Sequence, residues 1–435
     1  MVNWGMDRLA GHQEVIVIVN TLRPYLTALK KPANVILVLV VIISAVLSVL
    51  SYRLTVGQQT SSYALKPITA PIPTLPPSPT VSPTPAPVKN ATPSPIILPP
   101  EDPSQIQGID ADPGITAGKT FPGISWFRMG YPSCGRGNQK GQKLKNSMQF
   151  YHSKGIRVLF VVCQTRNANS VDWDGIAQSY PDAVECGNEE MKQDPSVAFL
   201  YSPPEQFARF YDRCERAIHA VNPRTPVLLG SLDPHVAGPD YQLMVGQVSY
   251  LNQMQNTMNT TLKRKNWNWH NQILGLIDSW YNGYNGANNL AGVFDFWAGE
   301  FNVDVNSGQL GKHLWVVEGT ACFIGCGIDS SPAVVAIVHI LTLITDIDTS
   351  LRAHVPFFHF SSYDISIQGV IGPTGILDHL GHPKPLRQDQ PMGSYGLTLT
   401  CPGNKQVTVI NQLQLMVRLY GRCALPTDYA TILSN

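Results

Sequence analysis

From residue 104 onwards the sequence alternates short apolar runs with segments of helical periodicity, which limits the chain to few folds. Apolar strands separated by helices imply parallel pairing through right-handed crossovers. Seven runs rich in β-branched and aromatic residues predict buried strands: 123–130, 156–163, 182–189, 225–233, 273–281, 313–320 and 354–364. "QIQGIDAD", near residue 108, is the candidate for a first strand.

The segments between these runs carry helix signals. "SPPEQFARFYDRCERAIHAVNP" opens with Ser202 and two prolines, repeats apolar residues at helical spacing, and stops at Asn222-Pro223. "KLKNSMQFYHSKG" and "SPAVVAIVHILTLITDI" are further predicted helices. Eight such units over 104–435 predict an α/β fold, a (β/α)8 TIM barrel. An open doubly wound sheet is the alternative, but no glycine-rich phosphate loop follows any predicted strand.

Residues 34–50, "NVILVLVVIISAVLSVL", carry no charge and predict one transmembrane helix over 33–53. Arg23, Lys30 and Lys31 precede the helix, so the positive-inside rule places residues 1–32 in the cytoplasm and the later residues outside the cell. A cleaved signal peptide is the alternative. The long preceding segment, and the lack of a clear A-x-A site after the apolar run, favour an uncleaved signal anchor.

Residues 54–103 form a linker rich in Pro, Ser and Thr. Fourteen of the 35 prolines lie within 67–103. This composition favours extended polyproline II, which acts as a semi-rigid spacer and cannot form a core. The chain therefore reads as a cytoplasmic segment (1–32), a signal anchor (33–53), a linker (54–103) and a catalytic domain (104–435) displayed on a cell membrane.

The bulk composition excludes some partners. Charged residues make up 14 % of the chain and the net charge is +1, so we expect no nucleic-acid partner. All eight cysteines follow the predicted anchor, an arrangement that favours disulfides in an exported domain. Cys322 with Cys326 and Cys401 with Cys423 are candidate local bridges. A zinc site is the alternative, but no second Cys pair completes one.

Two glutamates end predicted strands, Glu189 in "AVECGNEEM" and Glu318 in "LWVVEGT". A barrel carries its chemistry at the C-terminal ends of its strands. Glycosidic bond cleavage requires two carboxyl groups at such a mouth, one to protonate the leaving oxygen and one to attack the anomeric carbon or activate water. Each glutamate alone could instead cap the helix that follows it.

Several motifs resemble clan A glycoside hydrolases, which are (β/α)8 barrels with retaining chemistry. "ECGNE" (185–189) resembles the fourth-strand signature of that clan, "WVVEGT" the seventh-strand segment and "WFRMG" the second-strand motif. The resemblance runs from about residue 121 to 390. It implies that Glu189 is the general acid/base, that Asn188 binds the sugar 2-hydroxyl, that Glu318 is the nucleophile, and that Arg128 supports Glu318.

The sequence departs from the clan pattern at strands six and eight. "DSWYNGY" offers Tyr281 to hydrogen-bond the nucleophile, with Trp280 and Ser279 in place of the usual polar partner. "PFFHFSSYD" has no tryptophan platform, so His359, Phe360 or Tyr363 would have to contact the sugar. Trp280 and His359 are thus further candidates for substrate binding. Both departures concern the substrate more than the reaction.

The charges of this site allow expectations about each carboxyl group. We expect Arg128 and a tyrosine to keep Glu318 ionised, whereas Glu189, less well paired, keeps its proton. Glu185 should point into the barrel as a structural carboxylate. Glu190 is a rival for the acid/base role, but it has the opposite strand parity to Glu185 and Glu189. We therefore favour Glu189 and expect Glu190 to face away from that site and to be solvated.

Other residue clusters have a plainer reading. Trp267 and Trp269 in "RKNWNWHN" suit a sugar-binding rim or ordinary packing under a loop. "DHLGH" (378–382) suggests a metal site, but we prefer a connecting turn.

The sequence therefore predicts a membrane-anchored extracellular β-glycoside hydrolase that is monomeric in its catalytic domain, acts on a carbohydrate substrate, and uses no metal or cofactor. A non-catalytic barrel that binds glycans or cell-wall polymer is the alternative, and a stalked adhesion protein is a third hypothesis.

Overall fold

All eight predicted strand regions form strands of one closed parallel barrel. In chain order the strands are β1 (Gln107–Asp110), β2 (Trp126–Gly130), β3 (Arg157–Val162), β4 (Ala183–Cys186), β5 (Val227–Leu232), β6 (Ile273–Ser279), β7 (Leu314–Thr320) and β8 (Phe357–His359). Each strand pairs with the next one, and β8 pairs with β1 to close the ring.

The structure, a computed structural model, describes residues 95–111, 120–130, 141–164, 171–193, 199–233, 237–279, 289–320, 332–367, 370–372, 374–387 and 390–434. Every loop at the C-terminal end of the barrel includes residues outside these ranges, so the site is described from the strand ends. The predicted cytoplasmic segment (1–32) and signal anchor (33–53) also lie outside them. Within the described ranges, no helix has the length and apolar character needed to cross a membrane.

Six helices follow β2 to β7 in turn: α1 (Gly141–Ser153), α2 (Trp173–Ala177), α3 (Pro204–Val221), α4 (Met244–Thr260), α5 (Leu290–Phe301) and α6 (Pro332–Ala353). The predicted start and stop of α3 are confirmed, since it begins after Pro203 and ends before Asn222. Its apolar positions, among them Phe207 and Ile218, are buried against the barrel. This alternation of strand and helix confirms the (β/α)8 fold.

Two antiparallel hairpins and two helices follow the barrel. The hairpins are β9 (Ile365–Ile367) with β10 (Val370–Gly372) and β11 (Leu397–Cys401) with β12 (Lys405–Val409), and the helices are α7 (Gln412–Tyr420) and α8 (Tyr429–Ser434). The Tyr420 hydroxyl donates to the Gly108 carbonyl oxygen over 2.7 Å, which ties α7 to β1. The predicted disulfide between Cys401 and Cys423 joins β11 to the residues after α7.

A second disulfide, between Cys186 and Cys214, was not predicted. It connects the last residue of β4 to α3, and both cysteines are fully buried. Cys322 and Cys326, the other candidate local bridge, lie outside the described residues.

The lower half of the barrel interior is a dry aromatic plug. Trp126, Trp315 and Phe358 pack together, with Trp315 edge-on to Trp126 at 6.3 Å and stacked on Phe358 at 6.5 Å between ring centroids. Further apolar side chains complete the layer: Ile106, Leu159, Ala183, Leu228, Ile277 and Val317. Polar chemistry is therefore confined to the C-terminal mouth above this plug.

The end of the predicted linker packs onto the barrel. Glu101 accepts a hydrogen bond from the Trp126 indole at 2.7 Å and forms an ion pair with Arg157 at 2.8 Å. The Ile96 carbonyl oxygen lies 2.7 Å from the His152 ring nitrogen. Residues from about 96 thus make specific contacts with the domain rather than acting as a free spacer.

We expect Trp315→Ala to lower the free energy of unfolding by about 3–5 kcal/mol, because it removes the centre of the aromatic plug and leaves a cavity. Denaturant-induced unfolding monitored by circular dichroism measures this change. Leu380→Ala is the control, since Leu380 is 67 % exposed. It should change stability by no more than about 0.5 kcal/mol. Equal effects of the two substitutions would contradict the packing described for the plug.

Candidate active site

A buried arginine organises the polar layer above the plug. Arg128 makes a two-pronged ion pair with Glu185, through Nε at 2.8 Å and Nη2 at 2.9 Å. Its Nη1 donates to Asp110 and to Glu318, each over 2.6 Å, and its Nη2 also donates to the Asn188 side-chain oxygen over 2.8 Å. One guanidinium therefore connects β1, β2, β4 and β7.

Strand alternation explains why Arg128 and Glu185 face inward. Trp126 lies in the plug, so Arg128, two residues later on β2, faces the same lumen. Ala183 and Glu185 have the same relation on β4. Glu185 is fully buried and held by Arg128, which confirms the prediction that it is a structural carboxylate.

The carboxylates keep Arg128 charged. Burial alone would lower the pKa of the guanidinium, but the charges of Glu185, Glu318 and Asp110 raise it well above its usual range. Three carboxyl groups around one cation leave an excess of negative charge in a dry site. Such a site favours protonation of a carboxyl group that is less tightly held.

A β-bulge turns Glu318 into the lumen. On β7, Trp315 and Val317 face the plug, so regular alternation would send Glu318 outward. In the pairing of β6 with β7, however, Leu276 is opposite Val316 and the next residue, Ile277, is opposite Glu318. Val317 is therefore an extra residue on β7. Bulges of this kind redirect side chains next to active sites. Glu318 consequently meets Arg128.

The chain leaves β4 through two left-handed residues. Gly187 has φ 113°, and a Cβ there would lie 2.4 Å from the Phe207 ring, so only glycine fits. Glu189 has φ 53°, a conformation that side-chain-bearing residues adopt rarely and usually at functional sites. This turn brings Asn188 and Glu189 to the mouth.

Asn188 is held by side chains that the sequence reasoning did not identify. Its side-chain oxygen accepts from the Ser231 hydroxyl at 3.1 Å as well as from Arg128. Its backbone N–H donates to the Gln164 side-chain oxygen at 2.8 Å, and its carbonyl oxygen accepts from the Gln164 amide at 2.9 Å. Both newly identified residues stand at strand ends, Ser231 on β5 and Gln164 after β3, where a polar residue is a signal for function.

Glu189 is paired, contrary to the prediction. The Lys192 ammonium lies 2.6 Å from a Glu189 carboxyl oxygen and 2.8 Å from an Asp233 oxygen. Burial raises the pKa of Glu189, the Lys192 charge lowers it, and the Asp233 charge raises it, with a net increase. The predicted rise of the Glu189 pKa is confirmed in direction. The prediction that Glu189 is less well paired was wrong, because the turn after β4 places Lys192 against it.

Glu318 also differs from its predicted state. Arg128 is in place at 2.6 Å and lowers the pKa of Glu318, but burial and the nearby negative charge of Glu189 raise it to about 8. The two glutamates thus repel each other across the mouth, with side chains 17 % and 13 % exposed for Glu189 and Glu318. Because the two carboxyl groups interact, ionisation of one disfavours ionisation of the other.

Glu190 is buried rather than solvated. Its side chain is fully covered and lies against Gly230 of β5, where a Cβ would come within 2.5 Å of a carboxyl oxygen. Within the described part of the chain, neither oxygen has a hydrogen bond of normal geometry. Burial raises the pKa of this carboxyl to about 8. The prediction of a solvated side chain was wrong because the left-handed residue Glu189 breaks the strand alternation on which it relied.

His359 lies apart from the carboxylates. Phe358 fills the lumen, so its neighbour His359 faces outward, where it is fully buried and meets the His339 ring of α6 at 6.1 Å. Burial lowers the pKa of His359 to about 3. The structure therefore does not bring His359 to the mouth, whereas Phe360, the next residue, keeps partial exposure. Tyr281 and Trp280, the other predicted binding residues, lie outside the described residues.

The remaining sequence candidates have structural roles. Trp267 and Trp269 are buried, and Trp269 packs edge-on to Trp297 at 6.3 Å, which supports the packing alternative. In "DHLGH", Asp378 accepts hydrogen bonds from the backbone N–H groups of Leu380 and His382 at 2.9 Å, as in a connecting turn.

Structure comparison finds similar barrels among solved proteins. A glucosidase from Croceicoccus marinus is 11 % identical with a TM-score of 0.41, and the match covers 64 % of this chain and 65 % of that one. A GH128 (subgroup II) endo-β-1,3-glucanase from Sorangium cellulosum is 14 % identical with a TM-score of 0.41, covering 65 % and 95 %. The GH53 catalytic domain of Ignisphaera aggregans is 14 % identical with a TM-score of 0.39, covering 67 % and 98 %.

Likeness at this level carries no information on reaction or substrate. This chain spans less than two thirds of the glucosidase chain that it matches. No protein-family model matches the sequence, and no curated protein matches it. The function must therefore be argued from the residues at the barrel mouth.

We expect Glu190→Gln to remove part of the pH dependence of stability. The pKa of Glu190 is raised to about 8 in the folded protein, so its contribution to stability is full below the unfolded value near 4.5 and is lost as the pH rises through 8. The free energy of unfolding of the variant minus that of the parent protein should therefore increase from pH 5 to pH 8.5, by at most about 1.4 kcal/mol per pH unit.

Urea unfolding at a series of pH values measures this difference. Glu205→Gln, in the exposed first turn of α3, is the matched control and should run parallel to the parent protein. A difference for Glu190→Gln that stays constant across the pH range would mean that Glu190 is already ionised in the native state.

Proposed function

We propose that this protein is a retaining glycoside hydrolase that cleaves β-glycosidic bonds of a poly- or oligosaccharide. One observation carries the proposal: Glu318 and the Asn188–Glu189 pair converge on Arg128 at the mouth of a closed barrel. The two glutamates come from strand ends β7 and β4, and each interacts electrostatically with the other. Two partly exposed, coupled carboxyl groups above a dry floor suit acid-assisted glycosidic cleavage.

In the first step Glu318 acts as the nucleophile. Its carboxylate oxygen attacks the anomeric carbon, the bond to the leaving oxygen breaks, and Glu189 gives its proton to that oxygen. This step requires the proton on Glu189 and Glu318 in its ionised form, which the Arg128 charge favours against burial and the Glu189 charge. The Asn188 side-chain oxygen is occupied by Arg128 and Ser231, which directs its amide N–H group to a sugar hydroxyl.

In the second step the roles reverse. Once Glu318 is esterified it carries no negative charge, so ionisation of Glu189 is no longer opposed by a charge at that position. Glu189, now a carboxylate, takes a proton from water while the water oxygen attacks the anomeric carbon and the bond to Glu318 breaks. The product keeps the configuration of the substrate. This chemistry requires carboxyl groups roughly 5–5.5 Å apart.

The apolar segment 34–50 supports a location for this activity outside the cell, at the membrane. A single-pass signal anchor over 33–53 and a Pro-rich spacer would hold the domain on the outer face of the cell membrane. A tethered domain of this kind suits a bulky extracellular glycan.

Glu189→Gln should lower kcat/KM by about 10²–10⁴-fold for aryl β-glycosides with a poor leaving group, since their cleavage requires general acid catalysis. Glu318→Gln should lower it further, because no glycosyl-enzyme can form. Release of the aryl group from a panel of aryl β-glycosides by the full chain in detergent measures both, and NMR of the first-formed sugar should show retention.

Added azide separates the two roles. With Glu189→Ala, azide should attack the glycosyl-enzyme and give a β-glycosyl azide, whereas Glu318→Ala with azide should give the α-anomer. Glu300→Gln, on α5 and away from the mouth, is the control and should keep the parent activity.

Parent-level hydrolysis by both glutamine variants would contradict the assignment. Binding to a glycan array without hydrolysis of any glycoside would instead favour a non-catalytic glycan-binding barrel.

A further inference from the structure

A buried lysine bridges the proposed acid/base to a third carboxylate. The Lys192 ammonium contacts Glu189 at 2.6 Å and Asp233 at 2.8 Å, and the residue is only 8 % exposed. The mechanism proposed above requires neither contact. A buried ammonium is retained only where the gain from its partners exceeds its desolvation, so this arrangement needs its own explanation.

The backbone fixes Lys192 where it stands. Its N–H donates to the Glu189 carbonyl oxygen at 3.2 Å, closing a turn, and the residue forms an isolated antiparallel bridge with Ala237. The Glu189 N–H donates to Ser231 at the end of β5, two residues before Asp233. The turn after β4 and the end of β5 therefore move as one unit, which sets the position of the Glu189 carboxyl.

The charges around Glu189 balance two opposite demands. A retaining enzyme needs this carboxyl protonated in its first step and ionised in its second. A lysine alone would favour the ionised form and remove the acid, whereas burial alone would favour the neutral form and weaken the base. Lys192 lowers the pKa of Glu189 and Asp233 raises it, so the pair adds two opposing contributions to a carboxyl group whose pKa burial raises. The charged groups that act on Glu189 are Lys192, Asp233, Arg128, Glu318 and Glu190.

We propose that Lys192 and Asp233 form a positioning pair that holds the Glu189 carboxyl and sets it between its acid and base roles, an inference that rests on the proposed glycosidase function. Lys192 donates to Glu189 directly, and Asp233 acts through Lys192. The pair thus affects the reaction through Glu189, in addition to holding two loops together.

Single substitutions should move the basic limb of the kcat/KM–pH profile in opposite directions. Lys192→Met removes the cation that lowers the pKa of Glu189, so the limb should rise by about one pH unit. Asp233→Asn removes the anion that raises this pKa, so the limb should fall by about one pH unit. The full-length protein in detergent is assayed from pH 4 to pH 10 on aryl β-glycosides.

Leaving-group dependence gives an independent readout. Asp233→Asn should lose more than about tenfold in kcat/KM with a poor phenol leaving group, which needs the acid, and little with an activated one. Lys192→Met should lower kcat with activated substrates, because a smaller fraction of Glu189 is then ionised and able to act as the base in the second step.

Three further variants keep the test decisive. Lys192→Arg retains the charge and should restore the parent limb. The double variant Lys192→Met/Asp233→Asn removes one positive and one negative charge and leaves no carboxylate at position 233 without its lysine. It therefore covers the case in which a single variant fails to fold, and its limb should lie near that of the parent. Lys384→Met is the matched control, because Lys384 makes a buried 2.8 Å ion pair with Asp364 after β8 and should leave the limb in place.

If activity falls in both single variants without opposite shifts of the basic limb of the kcat/KM–pH profile, the proposed role is wrong. The Lys192–Asp233 pair would then serve only to hold two loops together. Absence of hydrolysis by the parent protein on every substrate would count against the proposed function instead, which separates the two failures.

Discussion

The ion cluster around Arg128 is the contact on which the rest of the site depends. A guanidinium above an aromatic plug is stable only if its donors are satisfied, and here four side chains from β1, β4, β7 and the turn after β4 supply the acceptors. Because these acceptors sit at the ends of three strands, the cluster fixes the relative positions of those ends. Loss of Arg128 would leave Glu185 buried and unpaired, which is more damaging than loss of one hydrogen bond.

The same cluster explains the unusual titration of the mouth. Two cations serve five carboxyl groups, which are Asp110, Glu185, Glu189, Asp233 and Glu318. The plug excludes water from below, so the repulsion among these groups is weakly screened. Burial raises the pKa values of Glu189 and Glu318, and the weakly screened charges of nearby carboxylates add to this rise.

Part of this architecture was predictable because its signals are local. Buried β-branched runs, proline and asparagine at helix ends, and alternation along β4 are read within a few residues, so the barrel, α3 and the inward direction of Glu185 were correctly predicted. Arg128 was named from the resemblance to a known family. The outward direction of His359 was predictable in the same way, since Phe358 is the bulky apolar neighbour that fills the lumen. The role of His359 at the mouth was predicted from the resemblance to a known family, and the structure does not support it.

Residue order alone was sufficient for the strand and helix sequence and the barrel, and it placed Glu189 and Glu318 at strand ends, because periodicity and strand-end position are properties of short segments. Long-range packing settled the rest. The bulge that turns Glu318 inward depends on pairing with β6, the burial of Glu190 depends on the left-handed turn against β5, and the Lys192–Asp233 pair joins loops 41 positions apart. These features arise from contacts between segments that are distant in the chain, so no local pattern records them.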